Sequence, residues 1–102
     1  MKRVMVQYKV KADKAGENAD YVRKVFAELK QNAPAGLRYA TFLQADGVSF
    51  VHIASIETAD GVNPLTESAA FKAFQTGIRD RCEVPPAAVE IEEVGSYGFW
   101  GS

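Results

Sequence analysis

Leu37-Arg38-Tyr39-Ala40-Thr41-Phe42-Leu43-Gln44-Ala45-Asp46-Gly47-Val48-Ser49-Phe50-Val51-His52-Ile53-Ala54-Ser55-Ile56-Glu57 is the stretch on which the fold turns. Two strand-like runs, Leu37 to Ala45 and Val48 to Glu57, flank Asp46-Gly47. Asp-Gly between alternating apolar runs marks a hairpin, because a tight type I′ turn needs positive φ at both central residues. A two-residue loop then dictates the register: Ala45 faces Val48, Leu43 faces Phe50, Thr41 faces His52 and Tyr39 faces Ala54. One face of the hairpin collects Leu37, Tyr39, Thr41, Leu43, Phe50, His52, Ala54 and Ile56. The other collects Arg38, Ala40, Phe42, Gln44, Ser49, Val51, Ile53 and Ser55.

Toward the N-terminus, Val4, Val6, Tyr8 and Val10 alternate with Arg3, Met5, Gln7 and Lys9, a period of two that marks a strand. From about Asn18 the period becomes helical, with Val22, Val25, Phe26 and Leu29 on one stripe, until Pro34 and Gly36 end it. Asn18 reads as the N-cap of this helix, with a place at a pocket mouth as the less favoured alternative. Beyond the hairpin, Asn63-Pro64 makes a turn and Ser68 caps a second helix carrying Phe71, Phe74 and Ile78. Pro85-Pro86 is expected to stop that helix, and a last strand to run from about Ala88 to Val94. The order β-α-β-β-α-β predicts an α+β, ferredoxin-like antiparallel sheet with both helices on one face and the first and third strands central.

The 102 residues fit one domain, 1–102. At 47% hydrophobic and 25% charged the composition is that of a globular protein. With a net charge of −1 and no basic stripe, no nucleic-acid partner is expected. Cys82 is the sole cysteine, so an internal disulfide is excluded and a reducing compartment is expected. The N-terminus turns polar too soon for a signal peptide, and no apolar run approaches the roughly 20 residues of a membrane span. These features predict a cytoplasmic protein without a membrane partner.

Two helices cover one face of such a sheet. The covered face is assigned Val4, Val6, Tyr8, Leu37, Leu43, Phe50, Ile56 and Ile91. Met5, Phe42, Val51, Ile53 and Val94 are left on the other face. A face open to water should alternate to polar residues, and this one does so only in part. A C2 homodimer packed face to face is therefore expected, with the aromatic tail Tyr97, Phe99 and Trp100 suited to reaching across.

The chain resembles the dimeric α/β-barrel superfamily over nearly its whole length. Within it, Phe50-Val51-His52, Asn63-Pro64-Leu65, Phe71-Lys72-Ala73-Phe74 and Val94-Gly95-Ser96-Tyr97 are similar to small bacterial proteins grouped with the antibiotic-biosynthesis monooxygenases, many of unassigned activity. The resemblance implies a pocket between sheet and helices, where an Asn, a Trp and sometimes a His act on a substrate that itself activates oxygen. Here Gln7 and Tyr8 stand on the first strand where an Asn is expected, and Trp100 lies at the C-terminus.

His52, the only histidine, is the candidate catalytic residue, as a base or hydrogen-bond partner near neutral pH. The other reading is a core histidine held by Thr41 or a Tyr hydroxyl. Tyr8, Tyr39 and Thr41 share its face and are candidate ligand-binding residues, with Asn18 at the mouth. Cys82, placed late in the second helix near Arg79 and Arg81, reads as an incidental thiol. Glu90 and Glu92 share one face of the last strand and Glu93 the other; the first two are expected to pair with Arg3 or Lys9, making a solvated or ion-paired edge rather than a metal site, and no cofactor is expected. The RNP signature of an RNA-recognition domain, a Cys-x-x-Cys loop and a phosphate-binding glycine loop are all missing. The leading expectation is a cofactor-independent monooxygenase acting on an aromatic or polyketide-like substrate. A non-catalytic dimeric ligand-binding or stress-response protein is the rival, and a purely structural dimer the third.

Overall fold

The computed structural model describes residues 1–99. Strand β1 spans Lys2–Val10, helix α1 Ala15–Asn32, β2 Leu37–Leu43 and β3 Ser49–Ile56. Helix α2 follows at Ala69–Thr76, a single further turn α3 at Ile78–Arg81, and β4 at Cys82–Ile91. The sheet is antiparallel in the order β2-β3-β1-β4, with β1 and β3 central as expected.

The barrel in the superfamily comparison does not form. Four strands make an open sheet whose edges, β2 and β4, do not pair with one another. The ferredoxin-like arrangement stands; closure does not.

The hairpin register is the one the Asp-Gly turn dictates, with Tyr39 opposite Ala54, Thr41 opposite His52 and Leu43 opposite Phe50. The turn itself is different. Only Gly47 takes positive φ (76°), and residues 45–48 form a looser loop closed by Gln44 N–H to the Ser49 carbonyl at 2.8 Å. The Asp46 carboxylate accepts the Ser49 hydroxyl and the Val48 and Ser49 N–H groups, standing in for the missing turn bonds; the hydroxyl first and then the two N–H groups lower its pKa. Widening the loop by one residue on each side leaves the pairing unchanged.

Helix α1 starts at Ala15, three residues before the expected cap, and Asn18 is fully buried inside it. Ser68 does cap α2, accepting from Phe71 N–H at 3.0 Å and also hydrogen-bonding Glu28 of α1. Pro85 and Pro86 do not stop a helix; they lie within β4, and Cys82 opens that strand. An edge strand tolerates proline because one row of its N–H groups faces no partner. The register of β4 against β1 slips beside the prolines, between Gln7/Lys9 and Lys9/Val10.

Strand β4 ends at Ile91, so residues Val94 to Tyr97 do not close the sheet, and Val94 and Tyr97 are fully exposed. Trp100 lies outside the described residues. Ile91 pairs with Arg3, which places it on the helix-free face rather than under the helices. Among the described residues no helix is long and apolar enough to cross a membrane.

Candidate ligand pocket

Strands β1 and β3 each turn alternate side chains toward the helices, and pairing brings Val6 opposite His52 and Tyr8 opposite Phe50. His52 is thereby set mid-sheet beneath α2, 4% exposed, with the Phe74 ring 5.4 Å away. Tyr8 stacks on Phe50 at 5.5 Å, and Tyr39 stacks on Phe26 of α1 at 5.1 Å. Packing of this kind holds aromatic rings in single orientations, so their hydroxyls are aimed rather than free to swing.

Those hydroxyls converge on the imidazole. Tyr8 Oη lies 2.7 Å from His52 Nε2, while Tyr39 Oη lies 2.6 Å and Thr41 Oγ1 3.0 Å from Nδ1. Behind Tyr8, Asn18 Nδ2 donates to the phenol oxygen at 2.9 Å, and Asn18 Oδ1 accepts from Arg81 Nε at 3.1 Å. Arg81 is itself buried; it donates from Nη2 to the Phe74 carbonyl at 2.8 Å and stacks over the Tyr21 ring at 4.3 Å. Every buried side-chain nitrogen and oxygen among the described residues has a partner.

Burial governs the protonation states. It holds the His52 imidazolium pKa down at about 4, so the ring is neutral at pH 7. It also pushes the Tyr39 phenol up to about 12 and the Tyr8 phenol higher still. Burial likewise raises the Cys82 thiol above its ordinary value.

A cavity of about 410 Å³ opens beside this cluster. Its floor is Val4, Val6, Tyr8, Tyr39, His52, Ala54 and Ile56 of the sheet; its roof includes Leu65, Phe71, Phe74 and Ile78; Asn63, Arg79 and Pro86 lie along its rim. Three of the five expected site residues, His52, Tyr8 and Tyr39, line it. Thr41 and Asn18 do not; they reach it through His52 Nδ1 and through Tyr8 respectively. Asn18 is therefore neither the helix cap nor at the mouth, but the link between Tyr8 and Arg81.

The sequence reading missed Arg81. Its signal was spacing: Phe71, Phe74, Ile78 and Arg81 recur at intervals of three and four, the period of one helical stripe. Asn18 likewise continues the stripe Val22, Val25, Leu29. The acidic edge is also paired differently: Arg3 binds Glu93 at 3.2 Å and Lys9 approaches Glu83 at 3.9 Å. Among the described residues no group of three or more His, Cys, Asp or Glu is gathered to hold a metal ion.

The sequence matches no protein-family model and no curated protein. The backbone, however, superposes on solved structures. A protein from Nitrosomonas europaea assigned as an antibiotic biosynthesis monooxygenase matches with a TM-score of 0.74 at 19% identity, over 91% of this chain and 89% of that one. The fold is that of the antibiotic biosynthesis monooxygenases. A Caulobacter crescentus protein with the same assignment matches with a TM-score of 0.68 at 22% identity, over 92% of this chain and 90% of that one. A mutant form of SnoaB, a cofactor-independent oxygenase from Streptomyces nogalater, matches with a TM-score of 0.67 at 14% identity, over 93% and 94% of the two chains. The resemblance drawn from the sequence motifs thus holds for the monooxygenase-like fold, which hosts proteins of known and unknown function.

Proposed function

We propose that this protein takes up a compact, largely apolar aromatic molecule between sheet and helices and oxygenates it with dioxygen, without a bound cofactor. The observation that carries the reading is the cavity of about 410 Å³ with mostly apolar walls and a polar corner at Tyr8, Tyr39 and His52, Asn63, Gln75 and Arg79 also lining it. That size and composition suit a small-molecule site. The likeness in fold to a cofactor-independent oxygenase supports the reaction class. An acidic methylene between aromatic rings, entering as its enolate with one proton already given up to solvent, would react overall as R₂CH₂ + O₂ → R₂C=O + H₂O, the enolate supplying the electrons to dioxygen and the proton returning from solvent to the departing water. His52, neutral and with both nitrogens engaged by protein hydroxyls, is not the base; it holds the Tyr39 hydroxyl in position to hydrogen-bond the substrate oxygen.

Oxygen uptake with anthrone as the probe substrate tests this. His52→Ala should abolish uptake while the far-UV circular dichroism and melting temperature show a folded chain. Undiminished uptake in that variant would remove His52 from the reaction. A second reading, a non-catalytic ligand-binding protein, is favoured by one observation: both ring nitrogens are already occupied by protein hydroxyls. Anthrone binding without oxygen uptake in the wild type would select it.

We also infer that a second copy of the chain covers the helix-free face, forming a C2 homodimer. The apolar Met5, Phe42, Val51, Ile53 and Val89 on that face support this, Phe42 being 49% exposed. Sedimentation of the wild type as a dimer, and of Phe42→Lys as a monomer, is the expected result; a monomeric wild type at micromolar concentration would refute it.

A further inference from the structure

We propose that Arg81, a buried cation with no carboxylate among its hydrogen-bond partners, gives one direction to the hydrogen bonds through Asn18, Tyr8 and His52, so that Tyr39 presents its hydroxyl hydrogen to the cavity and the site takes its ligand through a carbonyl or other acceptor oxygen. The inference rests on the pocket reading above and supplies its polarity.

The direction follows from counting hydrogens. Arg81 Nε–H can only donate, so the amide oxygen of Asn18 must face it at 3.1 Å. The NH₂ end of Asn18 then faces Tyr8 and donates to its oxygen at 2.9 Å. Tyr8 has one hydrogen left, and its other partner is His52 Nε2 at 2.7 Å, so the phenol donates there. A ring nitrogen that accepts carries no proton, which places the single hydrogen of the neutral imidazole on Nδ1. Nδ1–H donates to Tyr39 Oη at 2.6 Å, with Thr41 Oγ1, 3.0 Å from the same nitrogen, as its second and weaker acceptor. Tyr39 therefore accepts from the protein and keeps its own hydrogen for the cavity it lines. The reverse arrangement would leave the Tyr8 hydrogen without an acceptor at a residue only 4% exposed.

Two features hold the arginine to this role. Among the described residues no ion pair includes it, so its charge acts on the chain undiminished by a counter-ion. Gly77 makes room for it: a Cβ there would sit 2.9 Å from Arg81 Nη1. Arg81 and Asn18 are positioning residues, and only Tyr39 would touch the ligand oxygen.

The test begins with the imidazole. Long-range ¹H–¹⁵N correlation on ¹⁵N-histidine-labelled protein should show the Nδ1–H tautomer; an Nε2–H tautomer would overturn the proposal without any variant. Asn18→Asp preserves shape but replaces the donor to Tyr8 with an acceptor, and its carboxylate can pair with Arg81. Tyr8 should then donate backwards, the imidazole should switch to Nε2–H, and the Tyr39 hydrogen should be drawn into Nδ1. The ligand probes are α-tetralone, whose only polar atom is an acceptor oxygen, and tetralin, which has none. Wild type should bind the ketone about tenfold more tightly than Asn18→Asp does, with a lowered C=O stretching frequency, while tetralin binds both alike. Equal affinity of the ketone for both proteins would refute the direction. Failure of both probes to bind the wild type would instead sink the pocket reading and the ligand class with it.

Discussion

The two faces of one sheet solve the same problem in opposite ways. Under the helices, His52, Tyr8, Tyr39, Thr41 and Asn18 satisfy one another as neutral groups, with a single charge, Arg81, at the far end. Three residues further along β3, on the other face, Ser55 is fully buried too, yet it sits in a network of full charges. Arg3 Nε donates to Ser55 Oγ at 3.2 Å, Ser55 donates to Glu57 at 2.7 Å, and Arg38 and Arg3 both approach Glu57. The difference is access to water. Glu57 and Arg38 keep part of their side chains in solvent, so ionisation costs little there. Beneath the helices an imidazolium or phenolate would lose its hydration, so the residues stay neutral and use hydrogen bonds instead. Alternation along a single strand therefore separates two chemistries by the thickness of a sheet.

The contrast is broken most severely at Arg81. Arg81→Ala strips a donor from both Asn18 Oδ1 and the Phe74 carbonyl and empties the space over Tyr21. A loss of about 4 kcal/mol is expected, read as a fall in the urea midpoint. A loss below about 1 kcal/mol would mean that the chain does not depend on its charged end.

Acid acts next, and with a definite sign. The folded-state pKa of His52 lies at about 4, below its ordinary 6.5. Between those values the unfolded chain binds the extra proton, so stability is complete above pH 6.5 and declines as pH falls toward 4. The decline should amount to about 3 kcal/mol. His52→Gln should flatten the pH dependence of the urea midpoint across that window. Glu57 and Asp46, whose pKa values are lowered, add their own losses only further into acid.

The helix-free face should give the smallest response. Arg3→Gln removes contacts to Ser55, Glu57 and Glu93 in partly solvated surroundings. A cost of about 1 kcal/mol, shrinking further in 1 M salt, is expected from thermal melts. A cost matching that of Arg81→Ala would mean the two faces do not differ in the way described.

Much of the frame was legible in the residues. Val4, Val6 and Tyr8 alternate, Asp46-Gly47 marks the reversal, and the register it dictates places Thr41 across from His52. Local rules sufficed because turn and strand periods act over a few residues. They misled at Pro85-Pro86, where the same residues that end a helix are admitted by an edge strand. They misled again at Asn18, because a cap and a buried amide use the same side chain.

What the sequence determined alone is the order of the elements, the hairpin register and the side of the sheet to which His52 belongs, since a period of two leaves no other choice. Only the tertiary structure decided that Arg81, 63 positions from Asn18, would meet it. The reason is physical: a hydrogen bond between α1 and the turn before β4 depends on how both pack over the sheet, and no local pattern encodes that distance. The cavity beside His52 belongs to the same class of fact, being the space that packing left unfilled.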